Sequence, residues 1–138
     1  MDRDREQIVD ALAQIAAALD SRDWDGVRRW FTPDTHAYGV RGQDALIAQM
    51  QAHLGGVGAT QHLLGNHRVT IDGDTAGSLT YGRVHHVGIG PMDGSSYECM
   101  GEYDDHWVRT TEGWRISRRW FEIKISIGDF AVLRPADA

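Results

Sequence analysis

Seven histidines and twenty acidic residues in 138 positions give this chain many groups that can move a proton or hold a metal. Strand parity narrows them, because alternate residues of a strand face opposite sides. His62 and His67 are five apart and point to opposite faces of a regular strand, and the adjacent His85 and His86 also diverge. At most one of each pair faces a given side. Asp20, His62 and His86 are of the right type for a two-histidine, one-carboxylate metal site. Their spacing is not diagnostic, and the expectation is no metal. A strand histidine is ordinarily a packed, hydrogen-bonded side chain, and an aspartate at a helix end is ordinarily solvated. Arg115, Arg118 and Arg119 read as an exposed strand face, except that Arg119 shares parity with Phe121, Ile123 and Ile125. An arginine on an apolar face needs a partner.

The elements that must position these groups are legible in the pattern. Ile8, Leu12, Ile15 and Leu19 recur at helical spacing and predict an amphipathic helix whose last turn carries Asp20. Asp23 can cap a second, short helix with Val27, Trp30 and Phe31 on its apolar side, ended by Thr32-Pro33-Asp34. A short strand through His36, Ala37 and Tyr38 follows. Leu46, Met50 and Leu54 mark a third helix over 43–54, closed by Gly55-Gly56. The rest reads as a meander with strands at 60–71, 75–87, 97–110 and 114–127, punctuated by Asp72-Gly73-Asp74 and Thr111-Glu112-Gly113. Three helices against such a sheet predict an α+β cone with an open, apolar mouth. No repeat or low-complexity linker marks a boundary, so 1–138 reads as a single domain.

Composition excludes several classes of function. The formal net charge is −6, which provides no positive footprint for nucleic acid or an anionic membrane. Cys99 is the single cysteine, too few for an intrachain disulfide or a cysteine-based zinc site. No apolar run is long enough to span a bilayer, and the polar start MDRDREQ does not read as a signal peptide. A cytoplasmic protein acting on a small molecule is the expectation. Trp107, Trp120 and the isoleucine-rich last strand are too apolar to leave exposed, which predicts a homo-oligomer.

Four stretches carry a family resemblance. Leu19-Asp20-Ser21-Arg22-Asp23-Trp24-Asp25 ends the first helix, Thr60-Gln61-His62-Leu63-Leu64-Gly65 opens a strand, Arg83-Val84-His85-His86 lies in the next, and Gly113-Trp114-Arg115-Ile116 precedes the last. With the helix order, they resemble the SnoaL-like branch of the nuclear transport factor 2-like superfamily over roughly residues 5–125. Scytalone dehydratase and the hexachlorocyclohexane dehydrochlorinase are the members most like it. The resemblance implies a catalytic pair, Asp20 and His62, with a second pocket histidine at His86 and an arginine at Arg119. It implies no metal or cofactor, and association into dimers or trimers. Two tyrosines of the dehydratase fall at Leu19 and at Gly39, the latter beside Tyr38. A serine and an asparagine that contact its substrate fall near Glu102 and Asp104.

The function expected from residues and resemblance together is a cofactor-independent lyase acting on a cyclic or polyketide-like compound. His62 would remove a proton from carbon, Asp20 would hold the imidazole, His86 would donate to or hold the leaving oxygen, and Arg119 would stabilise developing negative charge. Leu19, Trp30, Tyr38, Met50, Leu54, Leu64, Val84 and Phe121 would line the pocket. An isomerase or polyketide cyclase would use the same pair without a leaving group. A non-catalytic ligand-binding domain requires no contact between Asp20 and His62.

Overall fold

In the computed structural model, which describes residues 2–136, two helices, a strand pair and a third helix precede four long strands. Helix α1 (Asp2–Asp20) turns Ile8, Leu12, Ile15 and Leu19 inward, each at most 3% exposed. The Asp23 carboxylate accepts from the Gly26 backbone N–H and caps α2 (Trp24–Arg28). This helix is shorter than the sequence suggests. Phe31 opens strand β1 (Phe31–Ala37) instead of closing the helix, and Pro33 lies within that strand. Proline is tolerated there because the ladder to the neighbouring strand shifts register between Phe31 and His36.

Tyr38 and Gly39, with φ of 52° and 78°, form the two-residue turn from β1 to β2 (Val40–Arg41). Paired positive φ values are those of the type I′ hairpin, and Gly39 meets the demand without strain. Helix α3 (Gln43–Leu54) then buries Leu46, Ile47, Met50 and Leu54. Strands β3 (Thr60–Asp72), β4 (Thr75–Val87), β5 (Ser96–Thr110) and β6 (Gly113–Gly128) form the predicted antiparallel meander. Strand β1 joins β6 in parallel, which completes a six-stranded sheet of order β2-β1-β6-β5-β4-β3. Three helices thus pack on a curved, unclosed, mostly antiparallel sheet, an α+β fold.

Three bulges change which side chains face the helices. The register shift between Gly65 and Arg68, at Asn66 with φ 52°, brings His67 to the inner face, where its ring meets the buried Thr80 hydroxyl. The five-residue spacing therefore does not separate His62 from His67, because the strand is not regular. A shift between Trp107 and His106 inserts Ser117 into β6. Another, between Met100 and Gly101, inserts Lys124 and turns Ile125 and Ile127 outward, so Ile125 does not share a face with Arg119. Trp107 is likewise not a surface residue. It is 1% exposed in the main core, where its indole N–H donates to Ser78.

The main core lies between α1, α3 and the sheet, around Ile8, Leu12, Phe31, Leu46, Trp107 and Ile116. A second cluster of Val57, Val84, Tyr97, Cys99 and Val132 sits at the other end. The final segment reaches it through a single 3₁₀ turn, Phe130–Val132. Beyond that turn, the Arg134 N–H donates to the His53 carbonyl, and the Gly56 N–H donates to the Arg134 carbonyl. The chain end is thereby tied to the end of α3.

Candidate active site

Asp20 is the last residue of α1, and His62 is the third of β3. Packing of that helix on that strand brings the two side chains together. His62 Nδ1 lies 2.6 Å from Asp20 Oδ1, and the His62 backbone N–H donates to Oδ2 at 3.0 Å. The Thr60 hydroxyl donates to Oδ1 at 2.9 Å. Burial alone raises the Asp20 carboxyl, but the bonds from the His62 ring and backbone and from Thr60 outweigh it, and the group titrates below its ordinary value. An ionised Asp20 only accepts, so Nδ1 carries the imidazole proton. Nε2 is left as the basic nitrogen of a ring that lines the cavity.

Arg22 fastens this arrangement. Its backbone sits in the left-handed region at φ 57°, just past α1. From there its guanidinium donates to the Leu19 carbonyl at 2.9 Å, the Leu54 carbonyl at 3.1 Å, the Gly58 carbonyl at 2.7 Å and the Thr60 hydroxyl at 2.9 Å. One side chain therefore ties the ends of α1 and α3 to the start of β3. It also turns the Thr60 hydroxyl so that its proton points at Asp20. Sequence reasoning assigned no role to Arg22 or Thr60, although both stand in the stretches that carry the resemblance. A polar residue two places from each member of the pair was the available signal.

His86 occupies the inner face of β4, diagonally across from His62, since Thr60 pairs with His86 and His62 with Val84. His85 faces outward beside Glu98. The His86 ring is 4% exposed, and its Nδ1 donates to the Tyr97 carbonyl at 2.8 Å. Burial, with the nearby His62, Arg22 and His85, lowers its pKa below the ordinary histidine value despite that bond. His86 is thus a neutral imidazole whose free nitrogen accepts. It is poorly suited to donate a proton.

The cavity between α3 and the sheet measures about 210 Å³. Leu19, Tyr38, Met50, Leu54, Val84 and Phe121 line it together with His53, His62 and His86. Tyr38 reaches it because the hairpin turn holds its backbone at positive φ. Two expected wall residues lie elsewhere. Trp30 stands ahead of β1 between the Arg29 and Arg115 guanidiniums, at 5.1 and 4.9 Å. Leu64 is two residues deeper than His62 and fills the space between α1 and Tyr103. Tyr97, Cys99, Tyr103, Ile123 and Leu133 also line the cavity and were not anticipated. Glu102 and Asp104 bracket Tyr103 but face outward, so the inner position is the tyrosine. Burial pushes the Cys99 thiol up to about 11, which keeps it protonated and inert.

Arg119 does not line the main cavity. It is 3% exposed, and its Nε and Nη2 bind Asp105 at 2.7 and 2.9 Å. Burial opposes the charged form of Arg119, and the Asp105 carboxylate overrides that penalty and keeps the guanidinium charged. An arginine on the inner face did require a partner, and the same partner balances its charge. Its Cζ lies 4.3 Å from the Tyr103 ring centroid and 5.9 Å from that of Phe31. Among the described residues, no group of three or more His, Cys, Asp or Glu side chains is placed to hold a metal ion.

A curved, half-open sheet roofed by three helices, with polar groups converging in an apolar cavity between them, is the nuclear transport factor 2-like fold. Residues 3–120 match the SnoaL-like domain family, and the chain belongs to it. An uncharacterized protein of Mycobacterium tuberculosis is 37% identical over 122 residues, which cover 84% of this chain and 82% of that one. A candidate aromatic ring hydroxylase from Novosphingobium aromaticivorans superposes with a TM-score of 0.86 at 26% identity, over 96% of this chain and 97% of that one. A candidate scytalone dehydratase from the same organism gives 0.78 at 15% identity, over 99% and 97%. A hexachlorocyclohexane dehydrochlorinase gives 0.77 at 14% identity, over 93% of each chain. At those last two identities the likeness is one of fold.

Proposed function

We propose that this protein is a lyase that uses His62 and Asp20 to remove a proton from carbon and expel water or a comparable leaving group. The 2.6 Å contact of His62 Nδ1 with Asp20 carries the reading, because it leaves Nε2 as a base in an apolar cavity. Nε2 takes the proton, the C–H electron pair forms the new double bond, and the leaving oxygen departs with its own bonding pair. The imidazolium, stabilised by Asp20, then returns the proton to that oxygen and releases water. The neutral His86 accepts a hydrogen bond from the leaving hydroxyl and holds it in place. One imidazole serves both proton transfers, so hydrogen and leaving group depart from the same face. The apolar walls and the cavity volume suit a small cyclic substrate.

The test is a panel of cyclic β-hydroxy carbonyl compounds, followed by mass spectrometry for a product lighter by one water. His62→Ala should lower turnover on the order of 10²–10⁴-fold. Asp20→Asn should lose a similar amount, and the double variant little more, because the two act as one unit. Unchanged turnover in His62→Ala overturns the reading. A product of unchanged mass assigns the same pair to isomerisation.

The protein is further proposed to act as a homo-oligomer in which a second copy covers the outer face of the sheet. Leu63, Tyr81, Trp120, Ile125 and Ile127 are each more than half exposed there. On that face Arg83 is paired with Glu98 and Lys124 with Glu122 within the chain, so the apolar side chains are what it chiefly offers a partner.

A further inference from the structure

Helix α3 brings to the cavity two polar side chains that take no part in the proton transfer. Gln49, Met50, His53 and Leu54 all line it, at the spacing that forms one stripe of a helix. Met50 and Leu54 are buried, Gln49 is half-buried and His53 is exposed, so the polar pair marks the open side of that stripe. The His53 ring is pinned, with Nδ1 2.9 Å from the Gln49 backbone carbonyl one turn back. A carbonyl can only accept, so Nδ1 carries the proton and Nε2 presents a lone pair. The Gln49 side-chain amide makes no hydrogen bond among the described residues, which leaves its N–H donors and its carbonyl uncommitted. On the sheet side, by contrast, the polar rings are tied: His62 to Asp20, His86 to the Tyr97 carbonyl, and the Tyr97 hydroxyl to Ser126.

Among the described residues, no Asp, Glu, Lys or Arg lines this cavity, although the chain has 20 acidic and 14 basic residues. An ionic ligand finds no counter-charge on the wall, and recognition falls to neutral groups. An amide N–H one helical turn from an imidazole lone pair matches a hydroxyl, which accepts from the first and donates to the second. An ether has no proton for Nε2, and a carboxylate sets its own lone pairs against that nitrogen. We propose that Gln49 and His53 form a specificity subsite for a ring hydroxyl of the substrate, on the wall opposite His62. The inference rests on the proton-abstraction reading of His62. It narrows the substrate class to uncharged cyclic compounds with a hydroxyl, other than the leaving one, on the side that meets α3. Gln49 Nε2 donates to the hydroxyl oxygen, and the hydroxyl donates to His53 Nε2. No bond to carbon changes at this end. The pair orients the ring and so selects which C–H reaches His62 Nε2.

The test uses 5-indanol, 5-methylindane, in which a methyl group replaces the hydroxyl, and indane-5-carboxylate. Each is titrated into the protein by calorimetry at about pH 8, where an imidazole is ordinarily neutral. Wild-type protein should prefer the alcohol to the methyl compound on the order of 10- to 100-fold, and should bind the carboxylate more weakly than the alcohol. Gln49→Met and His53→Phe keep side-chain bulk, and each should cut the preference by at least about threefold. A merely structural change moves both affinities and leaves their ratio alone. His62→Ala should retain the preference. No preference in wild-type protein, including binding of neither compound, overturns the proposal. So does a preference that either α3 variant retains, or a carboxylate bound more tightly than the alcohol. A preference lost in His62→Ala places the hydroxyl on His62 and also overturns the subsite, while the His62–Asp20 reading stands on its own turnover test.

Discussion

His86 and Asp20 respond to acid in different windows because different forces act on them. Burial depresses His86 below its ordinary 6.5, and His67 is lowered in the same direction by burial and Arg5. Below about pH 6.5 the unfolded chain therefore binds more protons than the folded one, and stability falls as pH falls through that window. Asp20 is depressed from 3.8 by its hydrogen bonds, so its contribution is complete above that value and is lost only at lower pH. Urea unfolding at a series of pH values should show the first loss well before the second. His86→Gln should flatten the slope just below pH 6.5, and His86→Gln combined with His67→Gln should remove most of it. A slope unchanged in the double variant would mean that neither ring is held neutral by the fold. His86 has its place in the site on the same grounds: a ring with Nδ1 committed to a carbonyl and protonation disfavoured can hold a hydroxyl but is a weak acid catalyst.

Strands β4, β5 and β6 build the cavity wall from a diagonal alternation of glycine and aromatic residues. The Tyr103 ring stacks on Phe121, and a Cβ at Gly82 would come within 2.6 Å of it. Gly82→Ala should push a methyl group into the Tyr103 ring and destabilise the fold by about 1–3 kcal/mol. Gly65→Ala, where an added Cβ meets nothing within 4 Å, should change stability by no more than about 0.5 kcal/mol. Thermal melts of the two variants check this directly, and equal shifts would show that the glycine-floored stack imposes no constraint. Elements were legible in the sequence wherever periodicity was long. The helix through Ile8 and Leu19, and four strands bounded by turn residues, fall within a residue or so of their positions. What escaped was every feature set by one residue out of register. The bulges at Asn66, Ser117 and Lys124 moved His67 inward and Ile125 outward, and neither change leaves a mark in alternation. Asp20, His62 and His86 stand out in the sequence because their types and surrounding words are distinctive, and the fold sets Asp20 against His62 and both rings on one cavity. Tyr103, a cavity-lining residue that the sequence does not single out, stands between Glu102 and Asp104 with no distinctive motif around it. Trp30 was placed in the wall because its helix was drawn one turn too long.

At the scale of the whole molecule the two faces of the sheet are unequal. The inner face is covered by α1, α3 and the segment after β6, whereas among the described residues no element covers the outer face of β3 to β6. Cross-strand pairing sets Leu63, Arg83, Met100 and Ile125 in one row over four strands, with Ile127 and Tyr81 in the rows on either side and Trp120 one row beyond Tyr81. Ionic pairs between Arg83 and Glu98 and between Arg68 and Glu102 consume charge that would otherwise keep this face hydrated. A stable interface buries about 800 Å² from each partner, and four adjacent strands provide a surface of that order. A single copy leaves this apolar area in water, and a second copy of the same chain offers a matching surface at equal concentration. Light scattering at micromolar protein should therefore give a multiple of 15.4 kDa. Placing an unpaired carboxylate in the patch, as Ile125→Asp at its centre or Trp120→Asp toward its edge, should shift the species to 15.4 kDa without unfolding it, because both side chains are already more than half exposed in the monomer. Circular dichroism on the same samples separates dissociation from misfolding. A wild-type mass of one chain would show that the outer face is stable in water. An assembly unaffected by either substitution would place the interface on another surface.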